Sequence, residues 1–309
     1  MRDLLSYLAQ RFFWMLLTLW VVYTFSFILM RSVPGNPFSS ERNVPPAIER
    51  QLEARYNLDA PPLTQYIDYL VGIVTRFDLG WCIRLEDYSV NQVLAEGLPV
   101  SASLAIFAMV FAVILGVSTG VISAVYRGSY ADIGMRSAAV LGIAIPNFVL
   151  AGLAILLFVF GIKLFPAGGW GTLRQVALPA LCLGAPIAAY IARLTRTGML
   201  EVLTKDHVRT AFAKGLPKRT VIMKHVLPGA MLPVVSYLGP ATARVLTGSL
   251  VLEQIFALPG LGSHFIHAAL QRDYTLATGM VLTYTVILFV MNTLVDISYS
   301  IIDPRVKLQ

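Results

Sequence analysis

The sequence predicts an all-α polytopic membrane protein with six transmembrane helices. Three observations carry the prediction. Of 309 residues, 13% are charged and 57% hydrophobic, against roughly a quarter and a half in an ordinary soluble domain. Mean hydropathy is +0.70, spread along the chain, which excludes a soluble globule, a disordered chain and a soluble domain on a single anchor. Six charge-poor runs are long enough to cross about 30 Å of hydrocarbon at about 1.5 Å per residue.

The first run, Phe12–Met30, lies between Arg11 and Arg31. It is too long for a signal-peptide core and no small-x-small cleavage site follows, so it reads as a retained helix. The second lies within Gly97–Tyr126 and the third within Ser137–Ile162. The fourth, Gln175–Ala192, is shorter and carries Pro179 and Pro186, and the fifth, about Val226–Leu252, contains Arg244. Both require neighbouring helices to satisfy their backbone. The sixth is Tyr274–Val295.

Basic residues in short connections set orientation. With a cytoplasmic N-terminus, the inner segments hold Arg2, Arg11, Arg127, Arg136, eight basic residues from Arg193 to Lys224, Arg305 and Lys307, fourteen of twenty-four. Both termini are therefore expected inside, and the net charge of +7 reflects membrane topology, not nucleic-acid binding. The chain divides into a tail and first helix (1–30), an external segment (31–96) and a five-helix core (97–309). In the external segment, Leu63, Tyr66, Ile67, Leu70, Val71 and Val74 recur at helical spacing. That helix is too short to span and should lie on the membrane surface or cap the bundle. A second short helix is expected around Ile48–Tyr56, after Pro45 and Pro46.

Arg193–His225 is the most informative region. Val208, Ala211 and Phe212 form one apolar face of a short helix beginning near Asp206, the expected N-cap. Gly215 follows as a corner, where a left-handed backbone suits glycine. Leu216 and Pro217 then open a second short helix with Val221 and Ile222. Positive-inside bias is the plain reading of the charge, but two amphipathic helices at a glycine corner suit docking in a groove on a cytoplasmic partner, with anionic lipid the competing explanation for the charge.

The stretch DHVRTAFAKGLPKRTVIMKHVLP, Asp206–Pro228, resembles the EAA loop of ABC importer permeases. Gly215 and Leu227-Pro228 stand at the pattern's positions. Arg209-Thr210-Ala211 replaces Glu-Ala-Ala, and His225 replaces Ile. The Arg-Thr-Ala form is that of the peptide-permease branch, and further segments agree with it along nearly the whole chain. They include MRSVPGNPF (30–38), FDLG (77–80), Asp87-Tyr88, LPVSASL (98–104), AIPNF (144–148), FPAGGW (165–170), LPGLG (258–262), Arg272-Asp273-Tyr274 and Asp303-Pro304. The similarity is to the oligopeptide/dipeptide (OppB/DppB-type) family, the oligopeptide form first.

The resemblance implies a type I importer permease in the bacterial inner membrane, carrying peptides with a second, C-type permease subunit. It further implies two cytoplasmic ATPases, which bind ATP and Mg, and an external substrate-binding protein. A peptide-like or nickel-type cargo is the alternative. ATPase coupling falls to Asp206, Arg209, Thr210, Ala211, Phe212, Lys214, Gly215 and Leu216. The chain contains no Gly-x-x-x-x-Gly-Lys-Ser/Thr phosphate loop, so it is expected to be no enzyme, to bind no cofactor and to draw energy from another polypeptide.

Other features carry weaker expectations. Arg244, near the outer end of its span, could attract a peptide carboxylate, pair with Glu253 or reach lipid headgroups. Pro146, Asn147 and Phe148 are candidates for lining the path, with a packed kink the equal alternative; Pro179, Pro186, Pro233 and Pro240 also interrupt helices at membrane depth. Gly116 and Gly120 form a Gly-xxx-Gly packing pair. Gly168, Gly169 and Gly171 mark a turn. His264 and His267 lack a third metal ligand, and Cys82 and Cys182 suggest neither a bridge nor a redox motif. A secondary transporter should carry acidic residues inside its spans or an inverted repeat, and the spans lack Asp and Glu. A membrane hydrolase should carry a nucleophile-base or metal constellation, and none is visible.

Overall fold

The computed structural model describes residues 2–32, 51, 54, 56, 59–85 and 87–302. The helix expected around Ile48–Tyr56 falls largely outside the described residues, as do Arg305 and Lys307. The helices are α1 (Arg2–Ser32), α2 (Pro62–Arg76), α3 (Val90–Val125), α4 (Tyr130–Ala144), α5 (Asn147–Ala154) and α6 (Leu173–Val202). They continue as α7 (Asp206–Ala213), α8 (Lys218–Thr220), α9 (Leu227–Ala230), α10 (Leu232–Gly248), α11 (Leu250–Ile255), α12 (Leu261–Gln271) and α13 (Tyr274–Ile302). Two π-helical segments, Ile155–Gly161 and Val221–Val226, extend α5 and α8.

Four stretches are long and apolar enough to cross a membrane: Tyr7–Ser32, Val90–Val125, Leu173–Val202 and Tyr274–Ser298. Two bent helix pairs bring the number to as many as six. The third expected span is one of these pairs and not a continuous helix: α4 and α5 with its extension meet at 112°. The cause is local. A residue before proline is driven out of the α region, and Ile145 sits at φ −81°, ψ 123°, followed by Pro146 at φ −58°, ψ 143°. The fifth span likewise bends by 52° between Ala230 and Leu232, next to Pro233 in the first turn of α10.

The chain forms two compact units. The first takes in Met1–Ser101, Pro259–Thr293 and Leu308–Gln309. In α1, Phe12, Phe13, Trp14, Trp20 and Phe25 each leave half or more of their surface uncovered, as an all-round apolar helix in lipid does. Tyr23 is buried instead. Its hydroxyl donates to the Tyr66 carbonyl at 2.8 Å, and Thr24 Oγ1 shares a 2.8 Å hydrogen bond with the Tyr66 hydroxyl, which ties α2 to α1. The buried residues of α2 are Gln65 and Gly72, whereas Leu63, Ile67, Val71 and Val74 point outward. The expected apolar face is therefore presented to the surroundings, as a helix lying in a bilayer interface requires.

Beyond α2, the loop to α3 is gripped by one buried carboxylate. Asp273 Oδ2 accepts from the Ile83 and Arg84 amides at 2.9 and 3.0 Å, while Oδ1 caps α13 through the Leu276 amide at 3.0 Å. The same loop places Cys82 in a core with Val90, Val93, Leu261, Leu276 and Met280. Burial, with the Asp273 charge nearby, pushes the Cys82 thiol up to about 12. Because the thiolate is the reactive form, maleimide at neutral pH should leave both buried cysteines unmodified in the folded protein and label both after denaturation. Labelling stoichiometry by mass spectrometry checks this, and rapid native labelling of Cys82 would contradict it.

The second unit takes in Ala102–Leu258 and Leu294–Lys307. Helix α6 is more enclosed than α3, with 67% of its apolar stretch buried against 39%. It begins two residues before the expected Gln175, because Thr172 and Gln175 form a reciprocal capping box. Gly116 and Gly120 pack on it as their spacing suggests. A Cβ on Gly116 would lie 2.6 Å from the Ala188 carbonyl oxygen, and one on Gly120 2.7 Å from that of Ala192. From the opposite side, a Cβ on Gly184 would sit 2.5 Å from the Ala108 carbonyl oxygen. Backbone cannot yield as a flexible side chain does, so Gly116→Val should cost about 1–3 kcal/mol or more, as over-packing of a tight contact does. A lowered melting temperature in detergent is the expected readout, with Gly134→Ala, whose Cβ would meet nothing within 4 Å, as the control.

Candidate functional site

The segment after α6 has the strongest sequence signal, and its geometry is built from three backbone devices. The first is a short connection: Leu203, Thr204 and Lys205 donate amide hydrogen bonds to Met199, Glu201 and Val202 carbonyls at 2.9, 3.2 and 3.0 Å. No slack chain separates α6 from α7. Lys205, not Asp206, is the N-cap, and it makes no side-chain cap bond. Asp206 is instead the first helical residue, where a carboxylate still favours the helix dipole.

The second device anchors α7. Val208 and Ala211 are buried with Ala124 of α3, Met199 of α6, and Val221, Ile222, Val226 and Ala230. Phe212 does not share this face as its spacing suggested: it is 44% exposed. The residue pattern i, i+3 is spent on the protein's own core, and the i+4 aromatic is left outside.

The third device closes the helix. The Gly215 amide donates to the Phe212 carbonyl at 2.9 Å and the Leu216 amide to the Ala211 carbonyl at 3.3 Å, the two bonds of a Schellman ending. Gly215 has φ +75°, and no heavy atom lies within 4 Å of where a Cβ would stand. Glycine is required there by conformation and not by crowding. Leu216 completes the motif by packing against the cluster that contains Ala211. The second short helix is not separate: Lys218–Thr220 runs through the π-helical turn into Leu227–Ala230 and so belongs to the bent fifth span.

Of the eight residues expected to couple to ATPases, Asp206, Arg209, Thr210, Phe212, Lys214 and Gly215 are therefore exposed together, Ala211 is an inward anchor and Leu216 half-buried. Arg209 lies 3.9 Å from the Asp206 carboxylate in an exposed pair, and Thr210 Oγ1 donates to the Asp206 carbonyl at 3.0 Å. His207 Nε2 reaches the His225 carbonyl oxygen at 3.3 Å. The result is a small, stiff knob with an aromatic tip, basic flanks and a buried root.

Residues that spacing did not reveal fix the root. Asp132, at the start of α4, is buried. Its Oδ1 accepts from Ser123 Oγ at 2.5 Å and Arg196 Nε at 2.9 Å, and Oδ2 from the Gly128 amide at 3.0 Å and Arg196 Nη2 at 2.9 Å. One carboxylate thus joins α3, the turn after it, α4 and α6. A partial signal existed in Ser129-x-x-Asp132, since Ser129 caps α4.

The other candidates are not gathered into this site. Pro146 and Phe148 are exposed and Asn147 half-buried at the α4–α5 bend. Arg244 is exposed on α10, whereas Glu253 is buried and accepts from Ser249 Oγ at 2.5 Å. Gly168, Gly169 and Gly171 do form a turn, with Gly169 and Gly171 at φ +95° and +120°. Among the described residues, no three His, Cys, Asp or Glu side chains group as metal ligands.

The Schellman ending predicts a graded response at Gly215. An L-residue in the left-handed region costs about 1–2 kcal/mol, and asparagine tolerates it best. Gly215→Val should speed amide exchange at Gly215 and Leu216 roughly tenfold or more, and Gly215→Asn much less. Equal protection in both variants, measured by hydrogen-exchange mass spectrometry, would sink the argument.

Residues 112–308 match the family described as binding-protein-dependent transport system inner membrane component. The chain is 47% identical over 302 residues to the dipeptide transport system permease protein DppB of Bacillus subtilis, covering 98% of each. It is 41% identical over 306 residues to the oligopeptide transport system permease protein OppB of Escherichia coli, covering 98% of this chain and 100% of that one. Both types that the motifs indicated, dipeptide and oligopeptide permeases, are thus found over nearly the full length of the chain. In fold, the chain resembles one from the crystal structure of an amino acid ABC transporter with histidines, with a TM-score of 0.53, 18% identity, and 67% of this chain and 93% of that chain covered. The inward-facing MetNI methionine ABC transporter gives 0.51 at 19% identity, covering 66% and 95%.

Proposed function

The chain belongs to the family of binding-protein-dependent transport system inner-membrane components, and from that premise we propose that it is the peptide-conducting permease subunit of an ATP-driven importer. Nearly full-length similarity to dipeptide and oligopeptide permeases carries the reading. In it, six spans place both termini and the α7 knob in the bacterial cytoplasm. A second, C-type permease completes the path, two ATPases bind the exposed residues of α7, and an external binding protein delivers peptide.

The knob's construction supports this division of labour. A partner that seats Phe212 and the basic flanks in a groove acts on α6 through a short hydrogen-bonded turn, and on α3 through Val208 and Ala211. ATP binding and hydrolysis, with Mg, then occur on the partner subunits, since this chain has no phosphate loop. Pro146, Asn147, Phe148 and Arg244 are proposed as path-facing residues; Arg244 would attract the peptide carboxylate.

Phe212→Asp and Gly215→Asp place an anion at the knob's tip and corner, where each side chain has room. Both variants should insert in the membrane, Phe212→Asp with wild-type melting temperature and Gly215→Asp with a slightly lowered one, and both should lose the ATPases on co-purification and abolish uptake of labelled di- and oligopeptides. Wild-type uptake would refute the coupling assignment. Labelling of Lys214→Cys by an impermeant maleimide from outside intact cells would refute the orientation.

A further inference from the structure

We propose that the end of the second unit that carries α7 holds an anionic phospholipid, its phosphate between α3, α4 and α6 and an acyl chain along α4. A cavity of about 290 Å³ opens there, and its lining includes Arg136, Arg193, Arg196 and Thr197 together with Met135 and Val140. Its charge is not balanced by side chains among the described residues. Arg196 is neutralised bidentately by Asp132, but among the described residues neither Arg136 nor Arg193 has an ion-pair partner. The Arg193 guanidinium stacks 4.8 Å from the Tyr190 ring centre, which orients the cation and leaves its charge uncompensated.

The apolar side identifies the occupant. A second hollow, lined by Ile133, Ser137 and Leu141, shares Arg136 and Val140 with the first, so the two adjoin along α4. Ile133, Val140 and Leu141 expose 53%, 66% and 58% of their surface. Two arginines without an ion-pair partner among the described residues, beside exposed apolar side chains of α4, match a molecule with a phosphate and a hydrocarbon tail. Basic pockets between spanning helices select such headgroups. Free phosphate would engage the arginines and leave the apolar hollow bare.

The test uses the full chain with whatever subunits accompany it, reconstituted in mixed phosphatidylcholine and phosphatidylglycerol vesicles and analysed for bound lipid by native mass spectrometry. Its readout is lipid mass and is independent of cargo and coupling, so failure here is distinct from failure of the transport reading. The wild type should retain phosphatidylglycerol in preference to phosphatidylcholine. Arg136→Gln with Arg193→Gln should lower that preference roughly thirtyfold, the usual effect of two basic residues at an anionic surface, whereas the paired Lys substitutions should keep most of it. Val140→Trp, which leaves both arginines and obstructs the groove, should lower it too. Unchanged retention in the Gln pair, unchanged retention in Val140→Trp, or displacement of the lipid by inorganic phosphate would each overturn the proposal.

Discussion

Backbone-to-backbone contact between α3 and α6 is the constraint on which the second unit depends. Lipid tails are as apolar as leucine, so helices in a bilayer gain little from hiding hydrocarbon from one another and associate through close packing and polar contacts. Gly116, Gly120 and Gly184 allow the approach, each positioned where a single added carbon would meet a carbonyl. The carboxylate of Asp132 then fixes the end of the same seam, joining Ser123 on α3 to Arg196 on α6. Small residues set the distance between the helices, and the ion pair sets their register.

From that fixed seam the construction of the knob follows. Helix α7 is only eight residues long, too short to be stable in water alone. It persists because Val208 and Ala211 bury against the ends of helices that the seam already holds in place, and because the glycine-terminated hydrogen bonds satisfy its last carbonyls. A force on the exposed face is thus received by a stiff element with a tertiary root. The sharp changes of direction lie elsewhere, at the 112° and 52° bends, each next to a proline that removes a backbone donor. The proposed mechanism has a rigid handle and prolyl corners, and motion at those corners need not disturb the glycine seam.

The sequence made the membrane class and the helical runs legible, because a span must avoid charge over its whole length. Element ends were less legible. Hydropathy alone missed the Thr172–Gln175 and Ser129 caps, which start α6 and α4 before the apolar residues begin. It also read Ser137–Ile162 as one apolar run, because apolarity is blind to backbone angles; Ile145 before Pro146 carried the information instead. Gly215 was legible because left-handed geometry restricts residue choice, and Gly116 with Gly120 because close approach does. The pairing of Asp132 with Arg196 spans 64 positions, and no local period encodes it. Phe212 shows the limit of periodicity in the other direction: a helical spacing identifies a face, and tertiary contacts decide whether its last member turns in or out.

The basic residues of the α6–α8 region resolve a tension between topology and function. Counted together, the eight from Arg193 to Lys224 are a positive-inside signal, which needs only number and location. In the structure they separate by environment. Arg196 is a bidentate partner of a buried carboxylate, and Arg193 lies over an aromatic ring. Lys205 and Arg209 make exposed pairs with Glu201 and Asp206, arrangements that contribute little to stability. Lys214, Lys218, Arg219 and Lys224 remain exposed. Orientation of the chain during insertion is insensitive to which of these sites each cation occupies. One charge count can therefore satisfy topology while individual members lock a helix, stack on a ring or stay exposed around Phe212, where the proposed anion site and docking tip would use them.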